Sequence, residues 1–199
     1  EAARSPTARQ AAVTAQLLRR YGVLVRPAIN RALVDGGFPA LYPILRAMEE
    51  TGRLRRGYFI AGMGGAQFAL PGVEESLRHA PLRKATGEDV ALVLAASDPA
   101  NAHGSILRWP AAPVEGMQLQ RGAGARVFLL GGELIGYLGR GGSHLVTFAP
   151  EEPNDEPARH EQLVRALARI ARPGAPVLIS QVNGQAASAS PLAALFLRH

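Results

Sequence analysis

The sequence predicts an α+β chain in two parts: three short helices closed by a hairpin, then a strand-rich module with flanking helices. Three observations point to this. Apolar residues recur at helical spacing in three successive segments before Gly52. The stretch RLRRGYFIAGMGGAQFAL, Arg53 to Leu70, sets two short strand-like runs on either side of a glycine-rich turn. Beyond Val90, apolar runs alternate with Gly-Gly turns.

The first helix is expected over Thr7 to Tyr21, with Ala11, Leu17, Leu18 and Tyr21 available for one side. Pro27 can open a second short helix, where its missing N–H costs nothing. Ile29, Ala32 and Leu33 then share a face, and Gly36-Gly37 ends it. LYPILRAMEETG is the third helix: Leu41, Ile44, Leu45 and Met48 stand at i, i+3, i+4 and i+7, a core stripe. Pro43 is placed in its first turn, because an interior proline breaks a helix, and Gly52 caps its end. Arg53 to Ile60 and Ala66 to Leu70 are the two strands of the hairpin, with Tyr58, Phe59 and Phe68 expected to pin it to the helices. Helix, helix, helix, hairpin is the winged-helix order, a helix-turn-helix variant whose third helix faces the groove.

After this domain, residues 1–71, comes a connector, 72–88, and then a module over 89–199. Val90 to Ala95 reads as a buried strand, and Asp98-Pro99 as a turn. Ala125 to Ala149 reads as a three-stranded meander. A helix is expected over Pro157 to Ala171, with Leu163, Ala166, Leu167 and Ile170 as its apolar stripe. APVLISQVNG is a further strand, and SPLAALFLRH a last helix with Ser190 as N-cap. The strand count suits a small antiparallel β-barrel or curled sheet.

The chain has 199 residues, 47% hydrophobic and 19% charged, a globular composition able to bury a core. No apolar run approaches the roughly 20 residues of a membrane span, and no signal-peptide pattern is visible. The lack of cysteine excludes disulfides, thiolate zinc sites and cysteine nucleophiles and fits a reducing cytoplasm. Through Pro71, ten arginines face four acidic residues, whereas twelve basic and twelve acidic residues follow, so the net charge of +6 lies wholly in the first third. A basic module beside a neutral one points to an anionic partner, most commonly a phosphate backbone.

Arg53, Arg55 and Arg56 sit at the base and first strand of the hairpin, beside Tyr58, where a duplex backbone would pass. Tyr42 and Arg46 fall on the side of the third helix opposite its apolar stripe, where arginine reaches a phosphate or a guanine edge. Glu49 and Glu50 repel phosphates and restrict that contact to the N-terminal half of the helix. The alternative for all of these is a solvated charged surface. GAGARV, Gly122 to Val127, reads as a turn rather than a dinucleotide loop, since no strand precedes it and no helix follows. No G-x-x-x-x-G-K-[ST] occurs, so this chain has no phosphate loop of that type. The five histidines show no ligand spacing, and no metal site or cofactor is expected in this chain.

GGFPALYPILRAMEETGRLRRGYF, GGAQFALPG with its following VEESLR, LAASDPAN with a nearby WP, and SPLAAL together resemble the C-terminal region of the bacterial large helicase-related proteins (Lhr), a family of superfamily 2 DNA helicases. The resemblance spans about Tyr21 to Leu195. It implies a winged-helix domain followed by a β-barrel-like module. It also implies a much longer protein N-terminal to Glu1, with an ATPase core using ATP and Mg and moving 3′-to-5′ on single-stranded DNA in DNA repair. Self-assembly, with tetramers as the expected form, and a cytoplasmic, nucleoid-associated location follow from it too. The family's C-terminal region is similar to glycosylases that unhook DNA crosslinks, and uracil-DNA glycosylase activity is attributed to it. The chain departs from the family at its end: it stops at His199, and its last acidic residue is Glu161.

Three functions are thus open: a non-catalytic DNA-binding and assembly module that also packs against neighbouring helicase domains, a DNA glycosylase, and a protein–protein module. A glycosylase needs a pocket for a flipped base and a carboxylate to activate water. Asp98 and Glu133 are the acids to test for it in the second half.

Overall fold

The computed structural model describes residues 5–79, 91–150, 155–171 and 176–199. The chain divides into two compact units, Glu1–Pro81 and Leu82–His199. The expected connector 72–88 begins with a helix, α4 (Val73–His79); its remainder, like Val90, lies outside the described residues.

In the first unit, α1 spans Pro6–Tyr21. The Ser5 hydroxyl caps it by accepting from the Ala8 N–H at 3.2 Å. Gly22, at φ +70, ends it. A two-residue strand, β1 (Val23–Leu24), follows; it is too short for any periodicity to reveal, and both residues are buried. Helix α2 covers Arg26–Arg31 and α3 covers Gly37–Glu50.

Two expectations need correction here. Gly36 and Gly37, at φ +74 and +59, begin α3 rather than end α2. Pro43 therefore lies inside α3, not in its first turn. Pro39 and Pro43 are both exposed, so water can serve the Pro39 carbonyl that Pro43 has no N–H to satisfy, and the helix continues. Leu33, expected in the core, is 87% exposed. It lies beyond the end of α2 with φ +50, which turns it off the face that buries Ala28 and Ile29.

Strands β2 (Arg55–Gly57) and β3 (Gln67–Ala69) form the hairpin. They are shorter than expected and belong to a three-stranded antiparallel sheet, order β1-β3-β2. The core gathers Leu17, Leu18, Leu24, Ile29, Leu41, Leu45, Leu54 and Phe68, all buried. Ile44 and Met48 are half-buried at its edge.

The second unit is built on a six-stranded sheet of β4 (Leu92–Ala95), β5 (Arg126–Leu130), β6 (Glu133–Leu138), β7 (His144–Thr147), β8 (Gln181–Val182) and β9 (Gln185–Ala186), in that order. GAGARV is a turn that feeds β5. Helix α5, Glu156–Ile170, lies between β7 and β8 in the chain. Of the two expectations, a small antiparallel barrel or a curled sheet, the described residues form no closed barrel. The sheet is open, with β4 and β9 at its edges, and strands of four and two residues are too short to wrap round and meet. The β7–β8 pair is parallel, because the chain returns through a helical crossover.

The strand period of two sends neighbours to opposite faces, except at a bulge in β6, where the register shifts between Phe128–Gly136 and Leu129–Leu134 and puts Ile135 and Tyr137 on opposite faces. Phe128, Leu130, Ile135 and Leu145 meet Leu163, Val164 and Leu167 of α5. Val127, Tyr137, Val146 and Phe148 face the other way, with Trp109 and Leu119 of the long β4–β5 loop packed on them. Among the described residues of the expected 175–184 strand, Gln181 and Val182 pair with β7. The chain then reverses through Asn183 and Gly184, at φ +50 and +78, a turn suited to a tight hairpin. The last helix, α6 (Ala193–Phe196), starts later than expected. Ser190 does not cap it; its hydroxyl donates to the Ala187 carbonyl at 2.7 Å.

Candidate nucleic-acid interface

The wing is held by one side chain. Gln67 is fully buried in β3. Its Oε1 accepts from the N–H groups of Phe59 and Ile60, each at 2.9 Å. Its Nε2 donates to the carbonyls of Ile60 and Met63 at 3.1 and 2.8 Å. After Gly57 the chain thus trades a strand ladder for a glutamine amide, which is why β2 stops early. Nothing in the local sequence marks Gln67, since all four partners are backbone groups.

Leu54, 2% exposed, anchors the start of the wing, and its N–H and that of Arg53 both reach the Met48 carbonyl. Arg53, Arg55 and Arg56 stand exposed around it. Arg56 Nε lies 3.4 Å from Glu49 Oε1, and Arg46 Nε 2.9 Å from Glu50 Oε1. Neither Arg53 nor Arg55 has a carboxylate partner among the described residues. The structure therefore sorts the candidate cations into two neutralised within the domain and two whose charge is unmatched.

Tyr42 does not stand clear of the fold. It is half-buried, its ring centroid 5.5 Å from that of Phe38 and 6.4 Å, edge-on, from that of Phe68. Tyr58 is 91% exposed and pins nothing. Phe68 is the aromatic that ties the hairpin to the helices, and Phe59 lies half-buried over Gly57.

In the second unit, Asp98 Oδ1 accepts from the Ala100 N–H at 2.7 Å, a turn-forming contact. Asn101 is fully buried, donating to the Ala96 carbonyl at 2.8 Å and accepting from the His103 N–H at 3.0 Å. Arg121 draws the loop together: Nη1 donates to the carbonyls of Asn101 and His103 and Nη2 to that of Asp98, at 2.6, 3.0 and 2.9 Å. His103 stacks on Trp109, centroids 6.2 Å apart, and burial lowers its pKa, opposed by a hydrogen bond with the Arg108 carbonyl. SDPAN and the nearby WP thus form one cross-linked loop. Glu133 is ion-paired with Arg159 of α5. No group of three or more His, Asp or Glu among the described residues could hold a metal ion, and no helix among them is long and apolar enough to cross a membrane.

Residues 3–89 match the winged-helix domain of the large helicase-related protein. The chain belongs to the large helicase-related protein family. Its winged helix is that of the Lhr C-terminal region. Over 167 residues it is 38% identical to a protein of Escherichia coli (strain K12) named "Lhr helicase/uracil glycosylase", covering 83% of this chain and 11% of that protein. Over 140 residues it is 43% identical to "Lhr helicase/ probable uracil glycosylase" of Mycolicibacterium smegmatis, covering 68% of this chain and 9% of that one. The chain thus spans about a tenth of the length of the Lhr relatives it matches.

Proposed function

We propose that this chain is the DNA-binding and assembly module at the C-terminal end of an ATP-dependent 3′-to-5′ DNA helicase that acts in DNA repair. The single observation that carries the reading is the pairing of an Lhr winged helix with Arg53 and Arg55, exposed on its wing without carboxylate partners among the described residues. Unmatched surface cations of this kind release counterions when they meet phosphates. ATP and magnesium would be used by a helicase core elsewhere in the parent protein. The second unit would pack against neighbouring domains or further copies, a homo-oligomer in the bacterial cytoplasm, at the nucleoid.

The test is binding of the 199-residue chain to single-stranded and duplex oligonucleotides across a salt series. Affinity should fall linearly in log K against log salt. Binding that is absent, or indifferent to salt, would overturn the reading and leave a protein–protein module.

A DNA glycosylase is the second reading, favoured by the names of both relatives. Asp98 and Glu133 are its candidate carboxylates, and each is engaged elsewhere, in a turn and in an ion pair. Release of uracil from a labelled strand, lost in D98N or E133Q, would establish it.

A further inference from the structure

We propose that the groove between α2, α3 and the wing loop receives one unstacked base of a single DNA strand, the base lying on Phe38 and Tyr42 and its phosphate near Arg26. This rests on the reading of the chain as a DNA-binding module and goes further by naming the subsite and the form of DNA.

The groove has a volume of about 790 Å³, and no carboxylate lines it. That is a size and a lining suited to a small planar group. Phe38 and Tyr42 both line it and are both half-buried, Phe38 with the Arg26 guanidinium over one face, so each ring is held and part of its surface borders the groove. Tyr42 is braced from behind by the fully buried Phe68. Rings already immobilised lose little entropy when a base stacks on them.

The charge at the rim is complementary to a nucleotide. The Arg26 guanidinium carbon lies 4.9 Å from the Phe38 ring centroid, a cation held by an aromatic face. Among the described residues no carboxylate pairs with it, whereas Arg46 and Arg56 are matched by Glu50 and Glu49. Residues 1–71, which form most of this unit, carry a net charge of +6.

The opposite wall is made by Gly64, Gly65 and Ala66. Gly65, at φ +85, is a glycine the backbone needs. Gly64 is not: its φ is outside the left-handed region, and an added Cβ would meet nothing within 4 Å. The fold does not require a glycine there, and because Gly64 borders the groove, a large side chain at this position narrows it. A duplex hides its base faces in stacking, so aromatic faces of this kind select a single strand.

The experiment uses F38L, which keeps apolar bulk but removes the aromatic face, and G64L, which fills the groove from a position open to a side chain. Each is titrated, beside the wild type, against a dye-labelled oligothymidine of about 12 nucleotides and a duplex of similar length, across a salt series. Both variants should lose affinity for the single strand by about five-fold or more, the lower end of what one stacked base contributes. Duplex affinity should not change, since the subsite takes only an unstacked base. Unchanged single-strand affinity in G64L, or an equal loss on duplex, overturns the subsite. A wild type that binds no DNA overturns the proposed function instead. Thermal melts identify any folding defect in F38L, and G64L then decides alone.

Discussion

Arg56 Nε lies 3.4 Å from Glu49 Oε1, so the first strand of the wing is ion-paired to the last turn of α3. With the Arg46–Glu50 pair one turn apart on the same helix, this divides the basic surface into matched and unmatched charge. Arg53 and Arg55 together, replaced by alanine, should weaken DNA binding at low salt almost independently of sequence. The slope of log K against log salt should flatten by about one unit per lost phosphate contact on a duplex. Stability should stay within about 0.5 kcal/mol. An unchanged slope would show that these arginines are only solvated.

The same pair predicts an opposite effect from a neighbouring substitution. Glu49→Gln removes a carboxylate that repels phosphates and releases Arg56. Binding should tighten, and the salt slope steepen by up to about one unit. The ion pair, exposed on its Arg56 side and half-buried on its Glu49 side, contributes little to folding, within about 1 kcal/mol. Weaker binding in this variant would mean that Glu49 positions Arg56 rather than competing for it.

Gln67 is the structural centre of the wing. Gln67→Leu keeps the volume and removes the partner of two N–H and two carbonyl groups. The first unit should lose about 2 kcal/mol, within the range for leaving buried polar groups unmet. Amide exchange at Phe59 and Ile60 should quicken in particular. Protection unchanged at those two amides would show that the loop is held by other contacts.

Arg121 plays the corresponding part in the second unit. Arg121→Leu removes a donor from three carbonyls, of which those of Asp98 and His103 still accept from Asn101, and should cost about 2 kcal/mol. Trp109, the chain's one tryptophan, packs beneath this loop and reports on it. Its fluorescence should shift to the red and its melting midpoint fall. An unshifted spectrum would place the anchoring of the loop elsewhere.

Acid should weaken the second unit. Burial lowers the pKa of both His103 and His160, and for His160 the pull of Glu156 only partly offsets this. A folded-state pKa below the unfolded one means that the unfolded chain binds more protons. This stability is complete above the ordinary imidazole value of about 6.5 and is lost as pH falls through the lowered values. Trp109 melts at about pH 7.5 and about 5.5 should show the lower midpoint in acid, with a smaller difference in His103→Phe. Equal midpoints would show that neither imidazole is neutral through burial.

The amphipathic helices and the hairpin were legible from local spacing alone. Leu41 and Leu45, four residues apart, must share a helix face, and Arg53 to Leu70 must turn at its glycines. That information lies within a few residues of itself. Helix limits were less legible: Gly36-Gly37 can end one helix or start another, and only the solvent around Pro39 and Pro43 lets α3 run through a proline. Strand β1 was invisible because two residues carry no period, and its pairing with β3 is a tertiary fact. The arginines could be named as candidates, but not sorted. Which of them keeps an unmatched charge depends on where Glu49 and Glu50 fall once helix and wing are folded together. Openness of the larger sheet was likewise decided in three dimensions. Strand count permits a barrel, whereas closure depends on strand length and on the direction in which the chain returns from α5. Spacing along the chain encodes faces; the partners that meet across those faces are set only by packing.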